Sequence, residues 1–331
     1  MKDLYNLHDF YSNGKSSKQL NNRRKSFGYQ ILGFGSGVAS VVLAGNDKGI
    51  FAYGRAGSPR VSMSNLVSNV GVVATDTTGV GTARESSAAT QYGDDKGIFG
   101  YGTTGSVVSV TNLVSNSGVI GSDVSGVGTA RTGLASCSYD SLDKGIFAYG
   151  NNASDTYISI SNLVSNVGVV ATDVSGVGSS RYLVAACEFG GDKGLFAYGY
   201  GPGHEWQTIS NIVSNVGVVA SDVSHSGVGR QAPAGCSYGG DKGIFAYGYN
   251  ASGSLNTSNL VSNLGVVGAD VSGVGTARDA IAACEYGEDK GIFAFGSNGN
   301  ISNLVSNVGV VASDGTGVGT GRNYPGACSY A

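Results

Sequence analysis

Short apolar runs separated by Gly, Asn, Asp and Ser recur along most of the chain. One copy shows the order. A small-residue run, Ala185-Ala186-Cys187-Glu188-Phe189, is followed by a Gly-Asp-Lys-Gly turn and then by Leu195-Phe196-Ala197-Tyr198-Gly199. A variable polar loop leads to Ile209-Ser210-Asn211-Ile212-Val213-Ser214, then Gly217-Val218-Val219-Ala220, and the copy closes with Ser221-Asp222-Val223-Ser224 and a glycine-rich turn ending in Arg230. The four runs are short, rich in aromatic or β-branched residues and bounded by turn formers, so they predict strands. Several are apolar on both faces. In the first copy Ile50 and Ala52 point one way, Phe51 and Tyr53 the other. Such a strand needs cover on both sides, and no helical periodicity lies between the strands to provide it, so sheets must cover sheets.

The motif Asp-Lys-Gly-Ile/Leu-Phe occurs six times, with lysines at 48, 96, 144, 193, 242 and 290. Four short strands per unit of roughly 45 residues predict an all-β fold, a β-propeller of four-stranded blades. A linear β-solenoid is the rival, but it normally uses shorter repeats. The small-residue run suits the innermost strand, where strands converge and little space remains. That run appears seven times, because Gly37-Val38-Ala39-Ser40-Val41-Val42-Leu43 precedes Lys48 and Gly326-Ala327-Cys328 follows the last full unit. The preferred count is therefore seven blades, with residues 1–35 supplying closing strands through Lys2-Asp3-Leu4-Tyr5 and Phe27-Gly28-Tyr29-Gln30-Ile31. The alternative is six blades, with residues 1–35 as an N-terminal docking arm ahead of repeats spanning 36–331.

Composition narrows the function classes. Of 331 residues 56 are glycine, 41% are hydrophobic and only 13% are charged. A core can form, yet no apolar run approaches the ~18 residues of a membrane span, and the polar start does not read as a signal peptide. Residues 1–35 carry six basic and two acidic side chains, which leaves a mildly acidic body within the net charge of −3. Nucleic acid is not an expected partner for such a surface.

Arg84, Arg131, Arg181, Arg230, Arg278 and Arg322 each precede a small-residue run, and Tyr53-Gly54, Tyr101-Gly102, Tyr149-Gly150, Tyr198-Gly199 and Tyr247-Gly248 end the following strand. This order resembles the kelch-type propeller repeat, with one glycine in place of the kelch pair and without its outer-strand tryptophan. A regulator-of-chromosome-condensation-type propeller fits less well. The wording Ser-Asn-Leu-Val-Ser-Asn and Gly-Val-Gly-Thr-Ala-Arg is similar to that of repeat proteins of tailed bacteriophages. That likeness implies a virion protein, assembled in the host cytoplasm, whose partners are other virion proteins or a host surface glycan or protein.

No constellation for catalysis is visible, and no cofactor or metal is expected. Cys137, Cys187, Cys236, Cys284 and Cys328 share one repeat position, which Val42 and Thr90 fill elsewhere. They read as buried free thiols in a small-residue slot, with a soft-metal ring as the alternative. Three histidines, His8, His204 and His225, have no ligand spacing. Asp76, Asp123, Asp173, Asp222, Asp270 and Asp314 recur before a glycine-rich turn, and each is expected to cap its own turn. Calcium binding or a sialidase-type aspartate box is the alternative, and the aromatic that box requires is missing. The arginines are candidates for pairing with these aspartates. Gly-Val-Gly-Thr is no phosphate loop, since no Gly-Lys-Ser/Thr follows.

Two segments vary between units: the loop after Tyr-Gly and the residues after the repeat arginine. In kelch-like order they open on one face, and variable loops on a rigid scaffold are where binding concentrates. Candidate binding residues there are Trp206, His204, Tyr200, Tyr182, Tyr157, Tyr249, Arg55 and Arg60, because Tyr and Trp anchor proteins and sugar rings. The expected function is a non-enzymatic virion structural and binding protein: a tail fibre, an appendage or a capsid-surface component. A cellular adaptor or lectin-like module is the second class, and a galactose-oxidase- or sialidase-like enzyme the third.

Overall fold

A computed structural model describes residues 46–331 apart from residue 298. Among the described residues the fold is all-β. It has no helix, and its strands form eight small antiparallel sheets of two to four strands. Six of these sheets repeat one plan. A first strand of small residues (Ala185–Phe189) pairs with a second (Lys193–Ala197), which pairs with a third (Ile209–Val213). The other first strands are Ala88–Tyr92, Ala135–Tyr139, Ala234–Tyr238, Ala282–Tyr286 and Gly326–Tyr330.

The fourth run of each unit is weaker than the sequence implies. Val219 bridges Val213, but Gly217 turns left-handed (φ 77°) and Val218 is exposed. Only Val223–Ser224 becomes a fourth strand. The turn is forced by packing. A Cβ at residue 217 would meet the Tyr139 ring and Leu163 at 2.9 Å, so this position admits glycine alone.

The C-terminal strand Gly326–Tyr330 pairs with Lys48–Ala52, running from Lys48↔Tyr330 to Ala52↔Gly326. It takes the place beside Lys48–Ala52 that the sequence had offered to 37–43. Those residues, like the N-terminal strands expected to close a seventh blade, lie outside the described residues. The six first strands lie side by side in the order of the chain, and the last neighbours the first. Two circuits of backbone hydrogen bonds follow the same order. At one end Ser86, Gly133, Leu183, Ala232, Ala280 and Tyr324 each donate to the one before, and Ser86 donates to Tyr324. All six are left-handed, with φ between 51° and 60°. At the other end the turns join as Gly93 to Asp143, Asp140 to Asp192, Gly190 to Asp241, Gly239 to Asp289, Gly287 to Asp47 and Ala331 to Asp95.

Packing between sheets repeats as regularly. The second strands are apolar on both faces, as expected; Ile50, Phe51, Ala52 and Tyr53 are fully buried. Each Tyr ending a second strand meets the Phe of the next sheet edge to face, as in Tyr53–Phe99 and Tyr149–Phe196 at 5.3 Å, and Phe295–Phe51 completes the series at 5.3 Å. Such pairs contribute roughly 0.5–1.5 kcal/mol beyond area burial. The cysteines occupy the small-residue slot. A Cβ on Gly194 would overlap Cys137 Sγ, and Gly243, Gly291, Gly49 and Gly97 stand likewise against Cys187, Cys236, Cys284 and Cys328. Each thiol thus fills space against the next sheet's glycine. All five are free and buried, and burial raises every thiol pKa.

Candidate binding face

Each second strand ends in two left-handed residues, for example Tyr198 (φ 63°) and Gly199 (φ 105°), which turn the chain out of the sheet into the variable loop. Left-handed geometry costs a non-glycine residue roughly 1 kcal/mol or more. Tyr198 is held there by its surroundings: Phe245 lies at 5.6 Å, and the Arg230 guanidinium sits 4.1 Å over the ring. The same Arg-over-ring contact recurs from Arg84 on Tyr53 to Arg322 on Phe295, at 3.9–4.3 Å.

These arginines are buried, so their charge needs compensation. Five of them have an aspartate carboxylate at 3.7–4.0 Å: Arg84–Asp123, Arg181–Asp222, Arg230–Asp270, Arg278–Asp314 and Arg322–Asp76. Four also donate to a fully buried asparagine, as Arg84 does to Asn112 Oδ1 at 2.7 Å. That asparagine in turn donates to the aspartate, Asn112 Nδ2 to Asp123 Oδ1 at 2.9 Å. The expectation that each Asp caps its own turn is corrected here. Asp123 accepts from the backbone N–H and hydroxyl of Thr82, 41 residues earlier, and Asp173, Asp222 and Asp314 accept likewise from Thr129, Ser179 and Thr276. The aspartates latch the linker entering a sheet to that sheet's outer edge. The asparagine hub, Asn65, Asn112, Asn162, Asn211, Asn259 and Asn303, was the missed signal: a polar residue repeated in every unit inside an otherwise apolar strand.

With the linkers fixed, the variable loops meet the residues after each arginine. Tyr182 bridges Tyr200, which bridges Trp206; Arg55 bridges Asn323; Glu85 bridges Thr103; and Gln231 bridges Tyr249. Five of the eight candidate residues gather in one patch. The Tyr157 and Tyr182 rings stack at 4.7 Å, Tyr182 meets Tyr200 at 6.2 Å, and Tyr200 meets Trp206 at 5.7 Å and His204 at 5.9 Å. Burial, then the neighbouring phenols, pushes Tyr182 up to about 12. Trp206 is half-buried and its Nε1–H has no hydrogen-bond partner among the described residues. Tyr249 lies apart from these contacts beside Gln231. Arg55 and Arg60 also stand apart, held by Glu85 at 3.3 and 2.9 Å. Glu85 and Tyr324, whose phenol lies near the Arg55 and Glu85 charges, are the residues missed on this face. Both fall in the variable window after the arginine, but a carboxylate caught between two arginines leaves no mark in the linear pattern.

The opposite ends of the sheets carry pairs of exposed apolar residues at the turn after the third strand, such as Val70 and Val72, Val167 and Val169, and Leu264 and Val266, each more than 60% exposed. No protein-family model and no curated protein matches the chain.

Proposed function

We propose that the six repeated sheets are the blades of a six-bladed, kelch-like propeller closed by the C-terminal strand. We further propose that the chain is a non-enzymatic structural and binding protein of a tailed-phage virion: a tail fibre, an appendage or a capsid-surface component. The two backbone circuits and the continuous order of the first strands support the closed ring. The binding reading rests on one observation, the patch of Tyr157, Tyr182, Tyr200, His204 and Trp206 drawn from three separate segments. Flat amphipathic rings with few rotatable bonds are efficient anchors for sugar rings or protein side chains. Exposed valine pairs at the opposite ends would serve attachment to a neighbouring virion protein.

A glycan array and host-cell binding, each with wild type, Tyr182→Ala and Trp206→Ala, test the reading. Ligand binding weakened tenfold or more by both substitutions supports it. Equal binding by all three proteins overturns it. An image of the isolated protein should count six blades. The same patch would suit a lectin-like cellular module; finding the chain in purified virions separates the two.

A further inference from the structure

The fourth residue of each first strand follows a pattern unlike the rest of the repeat. In chain order these residues are Gln91, Ser138, Glu188, Ser237, Glu285 and Ser329. A long side chain bearing oxygen alternates with serine all the way round. A cavity of about 40 Å³ is lined by residues of all six first strands, including Gln91, Glu188, Ser237, Glu285 and Ser329.

The serines position the longer groups. Glu188 Oε1 accepts from Ser138 N at 3.1 Å and from Ser138 Oγ, and Oε2 accepts from Ser237 Oγ at 3.2 Å. Ser329 Oγ accepts from Glu285 N at 2.8 Å and donates to Glu285 O at 2.9 Å, fixing that strand segment. Gln91 is only 5% exposed and Glu285 only 4%. The Gln91 carboxamide makes no hydrogen bond with another described residue. Ser136 Oγ, on the same lining, is buried without a partner among the described residues. Among the described residues no lysine, arginine or histidine lines the cavity. Two carboxyl groups, an amide and a hydroxyl thus line one cavity where hydrogen bonds from Ser138, Ser237 and the Asn46 backbone reach the carboxyls but, among the described residues, no cation does, and burying a carboxylate without a counter-charge is costly.

We propose that this ring is a binding site for one hard divalent cation, best suited to calcium, with oxygen donors from Glu188, Glu285 and Gln91. Carboxylate and amide oxygens are the donors calcium takes; all five cysteines also line the cavity, but each Sγ packs against the next sheet's glycine, which disfavours soft metals. Two carboxylates would balance the ion's charge.

The test uses the full chain stripped with chelator and titrated calorimetrically with calcium chloride at neutral pH. The expected result is saturable binding of one ion per chain and a higher melting temperature. Glu285→Gln and Gln91→Leu should each weaken binding tenfold or more, and the exposed-turn variant Glu288→Gln should not. Circular dichroism without metal reports whether each variant folds, and the wild-type titration stands without any variant. Absence of saturable binding of calcium, magnesium and manganese by wild type, or binding unchanged in folded Glu285→Gln and Gln91→Leu, overturns the proposal.

Discussion

Thr320 and Asp76 are 244 residues apart, yet Asp76 accepts from the Thr320 backbone N–H at 3.0 Å and from its hydroxyl at 2.7 Å. Four other repeats make the same latch across 38–44 residues, and in the fifth Asp270 accepts from the backbone N–H of Val228 alone. A single local device therefore also fastens the last linker to the first full unit. Asp76→Ala should cost about 1.5–3 kcal/mol, the usual range for hydrogen bonds to a charged group. Its location matters more than its size. In hydrogen exchange, Asp76→Ala should speed opening of Gly326–Tyr330, whereas Asp173→Ala should leave that strand unchanged. Equal protection in the two variants would argue against a special role in closure.

The latch aspartates also make stability depend on acid. Partial burial opposes ionisation of Asp76, but hydrogen bonds from Thr320 and Asn65, then the Arg322 charge, hold its carboxyl below the usual range. Asp123, Asp173, Asp222 and Asp314 are lowered in the same way. A carboxyl depressed in the folded state contributes stability above the unfolded value of about 3.9, and that stability is lost as pH falls through the folded value. Melting temperature should drop steeply below about pH 4, and Asp173→Asn should flatten that limb while lowering stability at neutral pH.

His225 adds a second window. Its ring packs against Tyr198 at 4.6 Å, and burial followed by the Arg230 charge lowers it to about 4. Since the folded state binds the proton more weakly, stability is complete above the unfolded value of about 6.5 and declines as pH falls toward 4. His225→Gly, which matches Gly273 of the next unit, should remove the slope between those values. A histidine titrating near 6.5 by NMR would refute the burial argument.

Steric complementarity between Gly194 and Cys137 gives a coupled prediction. Gly194→Ala should destabilise by about 1–3 kcal/mol through overpacking. Adding Cys137→Ala vacates the space, so the double variant should recover part of the loss. Strict additivity in urea titrations would show that the two do not share that space.

Thiol chemistry checks the burial of the five cysteines. Each is enclosed and its ionisation suppressed, so a thiol reagent should label none in the native protein and five after denaturation. Rapid native labelling would place them on an accessible surface.

Much of this architecture is legible in the linear pattern. Apolar runs on both strand faces, the Asp-Lys-Gly turns and the small-residue slot were all readable, because strand alternation and turn chemistry act within a few residues. The variable loops bridge the segments after the arginines, as in Tyr182 with Tyr200 and Gln231 with Tyr249. The asparagine hub and the aspartate latches were not assigned, because six equivalent donors and six equivalent acceptors do not announce which copy pairs with which. Glu188 and Glu285 escaped notice for a related reason, since each is one polar residue in a strand otherwise fit for a core.

Spacing, strand alternation and turn residues along the chain are enough to define the repeating unit and its strands. Those choices follow from local sterics and hydration. Long-range packing sets Gly326–Tyr330 beside Lys48–Ala52, brings Asp76 to Thr320, and gathers Gln91, Glu188 and Glu285 around one cavity. Such pairings depend on how each sheet is placed against the next, a property of the whole set that no single repeat encodes.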